Sequence, residues 1–282
     1  MTLQNTIKQA SDFLKNNKVI THSLDAEIIL ANIMGVDRNF FILNNNISIS
    51  KKIIRKYNFA IKRRIKREPV AYIVGKKEFW SENFLVNKST LIPRPETELL
   101  IYKLIKFFKN KRINILDVGT GSGCLLLSLL KELNLSRGLG IDVSPKAIKI
   151  AKKNSYNLKL TNRAKFKAID FNKFIAGKYD LIVSNPPYIL SNEIKNLSKD
   201  IVDYEPHIAL DGGVDGLDLI KKVIYKSNNL LKRQGLLALE IGYNQYRKVS
   251  RILKYQGYRE IYKKYDYKDN VRCIISTKVN FF

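Results

Sequence analysis

The residues best suited to chemistry are Asn185-Pro186-Pro187-Tyr188, which follow the apolar run Leu181-Ile182-Val183. A short apolar run closed by such a turn reads as a buried parallel strand. In open α/β folds, ligands bind at the carboxyl edge of the strands. Each proline lacks a backbone N–H and has a fixed φ, so nearby carbonyls point in set directions. The turn therefore offers two acceptors, the Asn185 side-chain oxygen and the Pro186 carbonyl. Two acceptors at fixed spacing suit a planar NH2 group with its two N–H donors. Bonding both hydrogens draws electron density onto the nitrogen and aims its lone pair. An amino group conjugated to a carbonyl or ring needs that help to act as a nucleophile. Pro-Pro alone would mark only the end of a strand.

A second motif shifts the balance. Ile113 to Val118 reads as a strand, Gly119-Thr120-Gly121-Ser122-Gly123 as a glycine-rich turn, and Leu125 to Leu133 as a helix. Glycines permit positive φ and close backbone approach to a ligand, and the helix start adds unpaired N–H groups and partial positive charge. The pattern is G-x-G-x-G rather than the dinucleotide G-x-G-x-x-G. Asp117 stands just before the loop, where a carboxylate would repel a pyrophosphate and suit a cation. S-adenosylmethionine, with its ammonium and sulfonium, fits better than NAD. A second strand, Leu139 to Ile141, ends at Asp142, nineteen residues past Gly123, near the spacing at which an acid bonds ribose hydroxyls. Ser144-Pro145 reads as a helix cap with Pro in the first turn. A third strand, Lys165 to Ile169, ends at Asp170-Phe171, placed to meet an adenine.

These residues resemble the class I S-adenosylmethionine-dependent methyltransferases that act on exocyclic or amide nitrogen. Further segments narrow the resemblance to the bacterial release factor glutamine methyltransferases. They are Arg67 to Gly75, Glu78-Phe79-Trp80, Leu91 to Glu98 with its Pro93-Arg94-Pro95-Glu96-Thr97-Glu98, Tyr204-Glu205-Pro206 with Ala209-Leu210, Gly213 to Leu217, and Leu239 to Gly242 with Gln245. The match runs from about Leu24 to the C-terminus. It implies methylation of the glutamine side-chain amide in the Gly-Gly-Gln loop of class 1 peptide chain release factors. By the resemblance, Asn185 and Pro186 would hold that amide and Tyr188 would wall the pocket, with Pro187 between them. Gly119 to Gly123, Asp142, Asp170, Phe171 and Asn185 would surround the cofactor, and Pro93 to Glu96 would close the site from the front. Phe171 replaces a frequent Trp, and Asp269-Asn270-Val271-Arg272 is a shortened form of the usual Asp, Gly and Arg pattern.

From about residue 88 onward the chain reads as alternating strands and helices, an α/β pattern, and the class I resemblance implies a Rossmann-like methyltransferase fold whose seven-stranded sheet ends in an antiparallel hairpin. The expected organisation is a helical substrate-docking domain over 1–70, a β-hairpin linker over 71–87 and a catalytic domain over 88–282. In the helical part, Ser23 is expected to cap a helix that ends at Gly35, and Ser50 to open one through Lys66. Residues 51–67 carry nine Lys or Arg and no acid. They read as a solvated face or as a docking surface for a release factor or ribosomal RNA. The long stretch Ser191 to Gly216 is expected over the substrate.

The 282 residues carry 51 Lys+Arg against 25 Asp+Glu, a net charge of +26. Abundant Ile, Lys and Asn point to AT-rich codons, so the charge is weak evidence for nucleic acid, although it would steer acidic partners. Cys124 and Cys273 lie far apart and suggest buried thiols rather than a disulfide or zinc site. His22 adjoins a helix start and His207 lies near the expected site, both read as structural. No metal is expected. Met1 to Ala10 has no apolar h-region and no apolar run approaches membrane length, so the expectation is a cytoplasmic protein. Two rivals remain: an adenine-N6 or cytosine-N4 nucleic-acid methyltransferase using the same turn on a flipped base, and a non-enzymatic cofactor- or RNA-binding protein. The first lacks a base-recognition domain, and specific DNA binding is not expected; the second has no use for the Asn185 turn.

Overall fold

The computed structural model describes residues 1–44 and 46–279. These divide into two units, one of Met1–Lys76 with Ser198–Tyr204, the other of Lys77–Leu197 with Glu205–Phe282.

The first unit holds α1 (Leu3–Asn16), α2 (His22–Met34), α3 (Phe40–Leu43), α4 (Lys51–Ile65) and α5 (Val70–Val74). Its core is Leu3, Leu14, Ala26, Ile29, Leu30, Tyr57 and Ile61, among others. Ser50 caps α4 by accepting from the Ile53 N–H. The expected Ser23 cap is corrected: α2 begins at His22 with Thr21 at the cap position, and the Thr21 hydroxyl donates to Asp25 (2.8 Å). On α4, Tyr57, Ala60, Ile61 and Arg64 are buried, which is the three-to-four spacing of one helical face. Lys51, Lys52, Arg55, Lys56 and Lys62 are exposed.

Arg64 is the one charge on the buried face of α4. Its guanidinium donates to Asp25 (2.6 Å), to Asp200 (2.7 Å) and to the Glu68 carbonyl (3.2 Å). The ion pair with Asp200 gives residues 198–204 a partner inside this unit. Removing one partner of a buried pair leaves the other charge uncompensated, at about 3–5 kcal/mol. Arg64→Met is therefore expected to lower stability by that order, read as an earlier transition in urea unfolding of the whole chain. A midpoint equal to wild type would show that the pair contributes nothing net.

The expected hairpin over 71–87 is shorter than the sequence suggests. Residues 70–74 are helical, running from Pro69 to a left-handed Gly75, and the strands are β1 (Lys76–Phe79) and β2 (Glu82–Leu85). The turn residues Trp80 and Ser81 both have positive φ (50° and 58°), the geometry of a tight hairpin turn normally built from Asn or Gly. Tertiary contacts hold it: the Trp80 N–H donates to Glu98 and the indole N–H to Glu132, both at 2.8 Å.

The remaining chain runs α6 (Pro95–Phe108), β3 (Asn114–Val118), α7 (Cys124–Glu132), β4 (Arg137–Asp142), α8 (Pro145–Asn157), β5 (Ala164–Ala168) and β6 (Tyr179–Ser184). After α9 (Lys199–Val202) come α10 (Asp218–Leu230), β7 (Leu231–Glu240), α11 (Tyr246–Tyr255), β8 (Tyr258–Tyr265) and β9 (Val271–Lys278). The strands form the expected seven-stranded sheet in the order β5-β4-β3-β6-β7-β9-β8. Pairings from β5 to β7 are parallel, and β9 runs antiparallel to β7 and β8. The β8–β9 turn closes on Asp266, whose carboxylate accepts from the N–H groups of Lys268 and Asn270.

Side chains alternate across the sheet, so both faces of the central strands are buried. Ile115, Leu181, Val183, Leu236 and Ala238 pack with Leu100 and Leu104 of α6 and Leu126 and Leu130 of α7. Leu116, Val118, Ile182, Leu237 and Leu239 pack on the other face with residues of α10 and α11. The same alternation sends two carboxylates at strand ends, Asp117 and Glu240, into the first of these faces. They are 1% and 0% exposed, the burial that governs their chemistry. The sequence order reverses about β3, which lies between β4 and β6. That reversal opens a crevice at the carboxyl ends of β3 and β6.

Gly140 shows how tightly β4 supports this crevice. A Cβ there would stand 2.6 Å from Thr120 Oγ1 and 2.7 Å from the Phe166 ring. Overpacking of this kind costs about 1–3 kcal/mol, and that loss is expected for Gly140→Ala in a urea melt. Unchanged stability would mean that the loop and Phe166 yield freely. Among the described residues, no helix is long and apolar enough to cross a membrane.

Candidate active site

A cavity of about 910 Å3 opens at the carboxyl edge of the sheet. Gly119, Gly121, Asp142, Asp170, Phe171, Asn185 and Pro187 line it, seven of the residues singled out from the sequence. Asp117, Thr120, Ser122 and Gly123 lie behind the lining and shape the loop. Gly119 and Gly121 have φ of 73° and 55°, and an added Cβ on Gly119 would meet no protein atom within 4 Å. Because Gly119 borders the cavity, that Cβ would occupy ligand space.

Asp142 braces the loop. Its carboxylate accepts from the Gly121 N–H and from the Ser144 N–H, both at 2.9 Å. Each oxygen keeps a further lone pair. Burial pushes this carboxyl above its ordinary range, and the backbone donors pull it back. Asp117 accepts from the Thr120 hydroxyl (2.6 Å). Burial pushes it up to about 7, with the Thr120 bond opposing and the Asp142 charge adding. A cationic ligand in the cavity would draw both toward the ionised form. Open glycine backbone, two carboxylates and the aromatic Phe171 form a donor set that fits S-adenosylmethionine. Asp142, Asp170 and Phe171 border the same cavity at neighbouring strand ends. The Asp170 carboxylate already accepts from the Asn172 N–H (2.8 Å).

The Asn185 turn follows β6 directly. Asn185 Nδ2 donates to Thr97 Oγ1 (3.1 Å), and Thr97 Oγ1 donates to Glu240 Oε2 (2.6 Å). The other end of the turn is held too. Arg272 donates to the Tyr188 hydroxyl (3.0 Å) with its guanidinium 5.6 Å from that ring, and Gln245 donates to the Tyr188 carbonyl and the Gly216 carbonyl, both at 2.9 Å. Tyr188, expected to wall the pocket, is not among the residues lining the cavity; its hydroxyl faces Glu240 (3.4 Å) and Arg272. Burial pushes the Tyr188 hydroxyl above its ordinary range, with the Glu240 charge adding. Pro186, expected to hold the substrate amide with Asn185, is buried within the turn and, like Tyr188, is not among the residues lining the cavity. Burial also pushes Glu240 up to about 7, with Thr97 and Arg272 opposing and Glu96 adding.

Pro93 to Glu96 are not in the cavity lining. The wall is built instead by Lys88 to Leu91 and by Pro206 to Ala209. The Pro-Arg-Pro-Glu segment is tied to that second stretch: Arg94 donates to Glu205 (2.5 Å), and Glu205 also accepts from the Ile92 N–H (3.1 Å). The long stretch after Ser191 is therefore not one loop. Residues 194–196 and 207–209 are short 3-10 turns, and residues 199–202 are helical. His207 borders the cavity. Cys124 is half-buried and Cys273 buried, both free thiols.

Residue type and spacing assign no role to Thr97, Glu240, Gln245 and Arg272, although each lies in a segment that carries the resemblance. A signal was present. Glu240 ends the run Leu236 to Leu239 at a core-facing parity, and a charged residue is rarely fully buried without partners.

Comparison with known proteins follows the same division. A family model described as the PrmC N-terminal domain matches residues 5–75, and one described as a methyltransferase domain matches residues 109–265. A release factor glutamine methyltransferase from Caulobacter vibrioides is 36% identical over 99% of this chain and 97% of its own length. One from Buchnera aphidicola subsp. Schizaphis graminum is 42% identical over 90% of this chain and 92% of its own. Among solved structures, a methyltransferase from Pyrococcus furiosus superposes with a TM-score of 0.52 at 16% identity, over 70% of this chain and 89% of that one. That likeness concerns the fold alone.

Proposed function

We propose that this chain, which belongs to the release factor glutamine methyltransferase family, methylates the N5 side-chain amide of the glutamine in the Gly-Gly-Gln motif of class 1 peptide chain release factors. It is an S-adenosylmethionine-dependent protein-glutamine methyltransferase, and the reaction supports translation termination in the cytoplasm. The observation that carries the reading is the bonding of Asn185. Its Nδ2 is committed to Thr97, so its Oδ1 is the atom left to accept from a substrate amide at the cavity wall.

The glutamine amide would donate one hydrogen to Asn185 Oδ1 and the other to the Pro186 carbonyl. An amide nitrogen is a weak nucleophile because its lone pair is delocalised. Two acceptors hold it with the lone pair aimed into the cavity, and their bonds strengthen as positive charge grows on nitrogen, which is binding selective for the transition state. Bound S-adenosylmethionine would supply a methyl group on a sulfonium, open to in-line SN2 attack by that nitrogen. Gly119, Gly121, Asp142, Asp170 and Phe171 would hold it. Positioning is the main source of acceleration, worth at most about 7–11 kcal/mol. The proton released after transfer is free to leave to water, since the chemistry needs no base before the nitrogen is alkylated.

The test incubates the protein with radiolabelled S-adenosylmethionine, a full-length release factor and adenine-containing DNA, then maps the label by mass spectrometry. Label on the Gly-Gly-Gln glutamine supports the reading. Label confined to DNA replaces it with base methylation, and no label on either favours a binding protein.

A further inference from the structure

Two buried polar residues, Thr97 and Glu240, continue a hydrogen-bonded chain behind Asn185, and the transfer itself uses neither. Thr97 lies on α6, Glu240 ends β7, and Asn185 follows β6. Thr97 is 3% exposed and Glu240 is 0% exposed, so water does not compete for their bonds. A side-chain amide has two faces of nearly equal shape, one a donor and one an acceptor. Only one of them can hold a substrate NH2. Something must therefore choose which way the Asn185 amide points.

The choice follows from counting protons. Thr97 has one hydroxyl hydrogen. When Glu240 is a carboxylate it can only accept, so Thr97 must give it that hydrogen. Thr97 then has only lone pairs for Asn185, and the Asn185 NH2 must face it. The oxygen is left toward the cavity. When Glu240 carries a proton, it can donate to Thr97 instead. The Thr97 hydrogen is then released, and the Asn185 oxygen can turn inward to accept it. The amide would then present its NH2 to the substrate NH2, donor against donor.

We propose that Glu240, acting through the Thr97 hydroxyl, sets the direction of the Asn185 amide and so switches the substrate acceptor on. Both are positioning residues. The role of the switch in transfer rests on the reading of Asn185 given above; the switch itself does not. Burial places the Glu240 titration near pH 7. The groups facing it are Arg272 at 3.8 Å, the Tyr188 hydroxyl, Glu96 on α6, Cys273 opposite on β9 and Cys124 on α7. Arg272 favours the ionised form, and Glu96 opposes it. The acceptor is aimed outward when Glu240 is ionised, so activity is expected to rise with pH through about 7.

Asp117 titrates in the same range, so the wild-type profile cannot by itself assign the group. Two variants can. Thr97→Val removes the hydroxyl at nearly constant volume, and Glu240→Gln removes the titration. Two readouts are needed, one free of any substrate. The first follows the Asn185 side-chain 15N–1H resonances against pH. They are expected to move through about 7 in the wild type and to stay flat in both variants. The second measures kcat and KM for release factor at saturating S-adenosylmethionine. A misaimed acceptor should lower kcat by about 10- to 100-fold while KM moves less than about 3-fold, with the pH limb lost. Thr97→Ser keeps the hydroxyl and should restore both kcat and the limb, which a purely structural role for Thr97 would not require. Resonances that still titrate in Glu240→Gln overturn the proposal, as does a Thr97→Val enzyme that keeps the wild-type kcat or limb. Resonances behaving as expected with no methyl on glutamine would sink the release-factor reading and leave the switch standing.

Discussion

Asn185→Ala is expected to lower kcat for methyl transfer to the release-factor glutamine by about 100- to 1,000-fold, the range found when one preorganised hydrogen-bonding group is removed from a transition state. The reason lies in the pairing. The substrate NH2 loses one of two acceptors, so one hydrogen is unbound just as charge builds on nitrogen. Thr97 also loses its partner, but its bond to Glu240 is independent of Asn185. The fold should therefore hold, since Pro186 and Tyr188 remain fixed by β6 and by the Gln245 bonds. Quench-flow or slow-turnover labelling gives kcat, and calorimetry gives cofactor affinity. Asn185 borders the cavity, so a change in affinity of a few fold is compatible with this account. Near-normal turnover with intact cofactor binding is not.

The second large effect is expected at Asp142. This one carboxylate accepts from the Gly121 N–H and the Ser144 N–H and has lone pairs left for ribose hydroxyls. Hydrogen bonds to charged groups contribute about 1.5–3 kcal/mol each, and each 1.4 kcal/mol is about tenfold in affinity. Asp142→Ala removes the ligand contact and unties the glycine loop together. It is expected to weaken S-adenosylmethionine binding by about 100-fold or more. Asp142→Asn should lose nearly as much, because its NH2 would face one of the two backbone N–H donors that the carboxylate now satisfies. Titration calorimetry decides it: wild-type affinity in both variants would remove Asp142 from the cofactor site.

Much of the site is legible in the sequence. Glycines at the turn after β3 announce positive φ, and three of them adopt it. Aspartates ending successive strands read as a ligand edge, and Asp142 and Asp170 do border one cavity with Asn185. Local signals failed where tertiary contact replaces local chemistry. Trp80-Ser81 forms a tight turn without Asn or Gly because Glu98 and Glu132 hold it. Residues 70–74 look like strand because Val and Ile are β-branched, but they turn into helix between Pro69 and Gly75.

The order of motifs along the chain, the strand-end placement of Asp142, Asp170 and Asn185, and the alternation that buries both sheet faces follow from residue type and period alone. A period says which face a side chain takes, and a strand end says which edge. Neither says what stands opposite. The bonds that aim Asn185 join residues 88 and 143 positions apart. Thr97 reaches Glu240 only because α6 packs across the face into which the parity of β7 drives that carboxylate. Hydrogen bonds need their partners within about 3 Å, and between distant segments only the packed tertiary structure sets that distance.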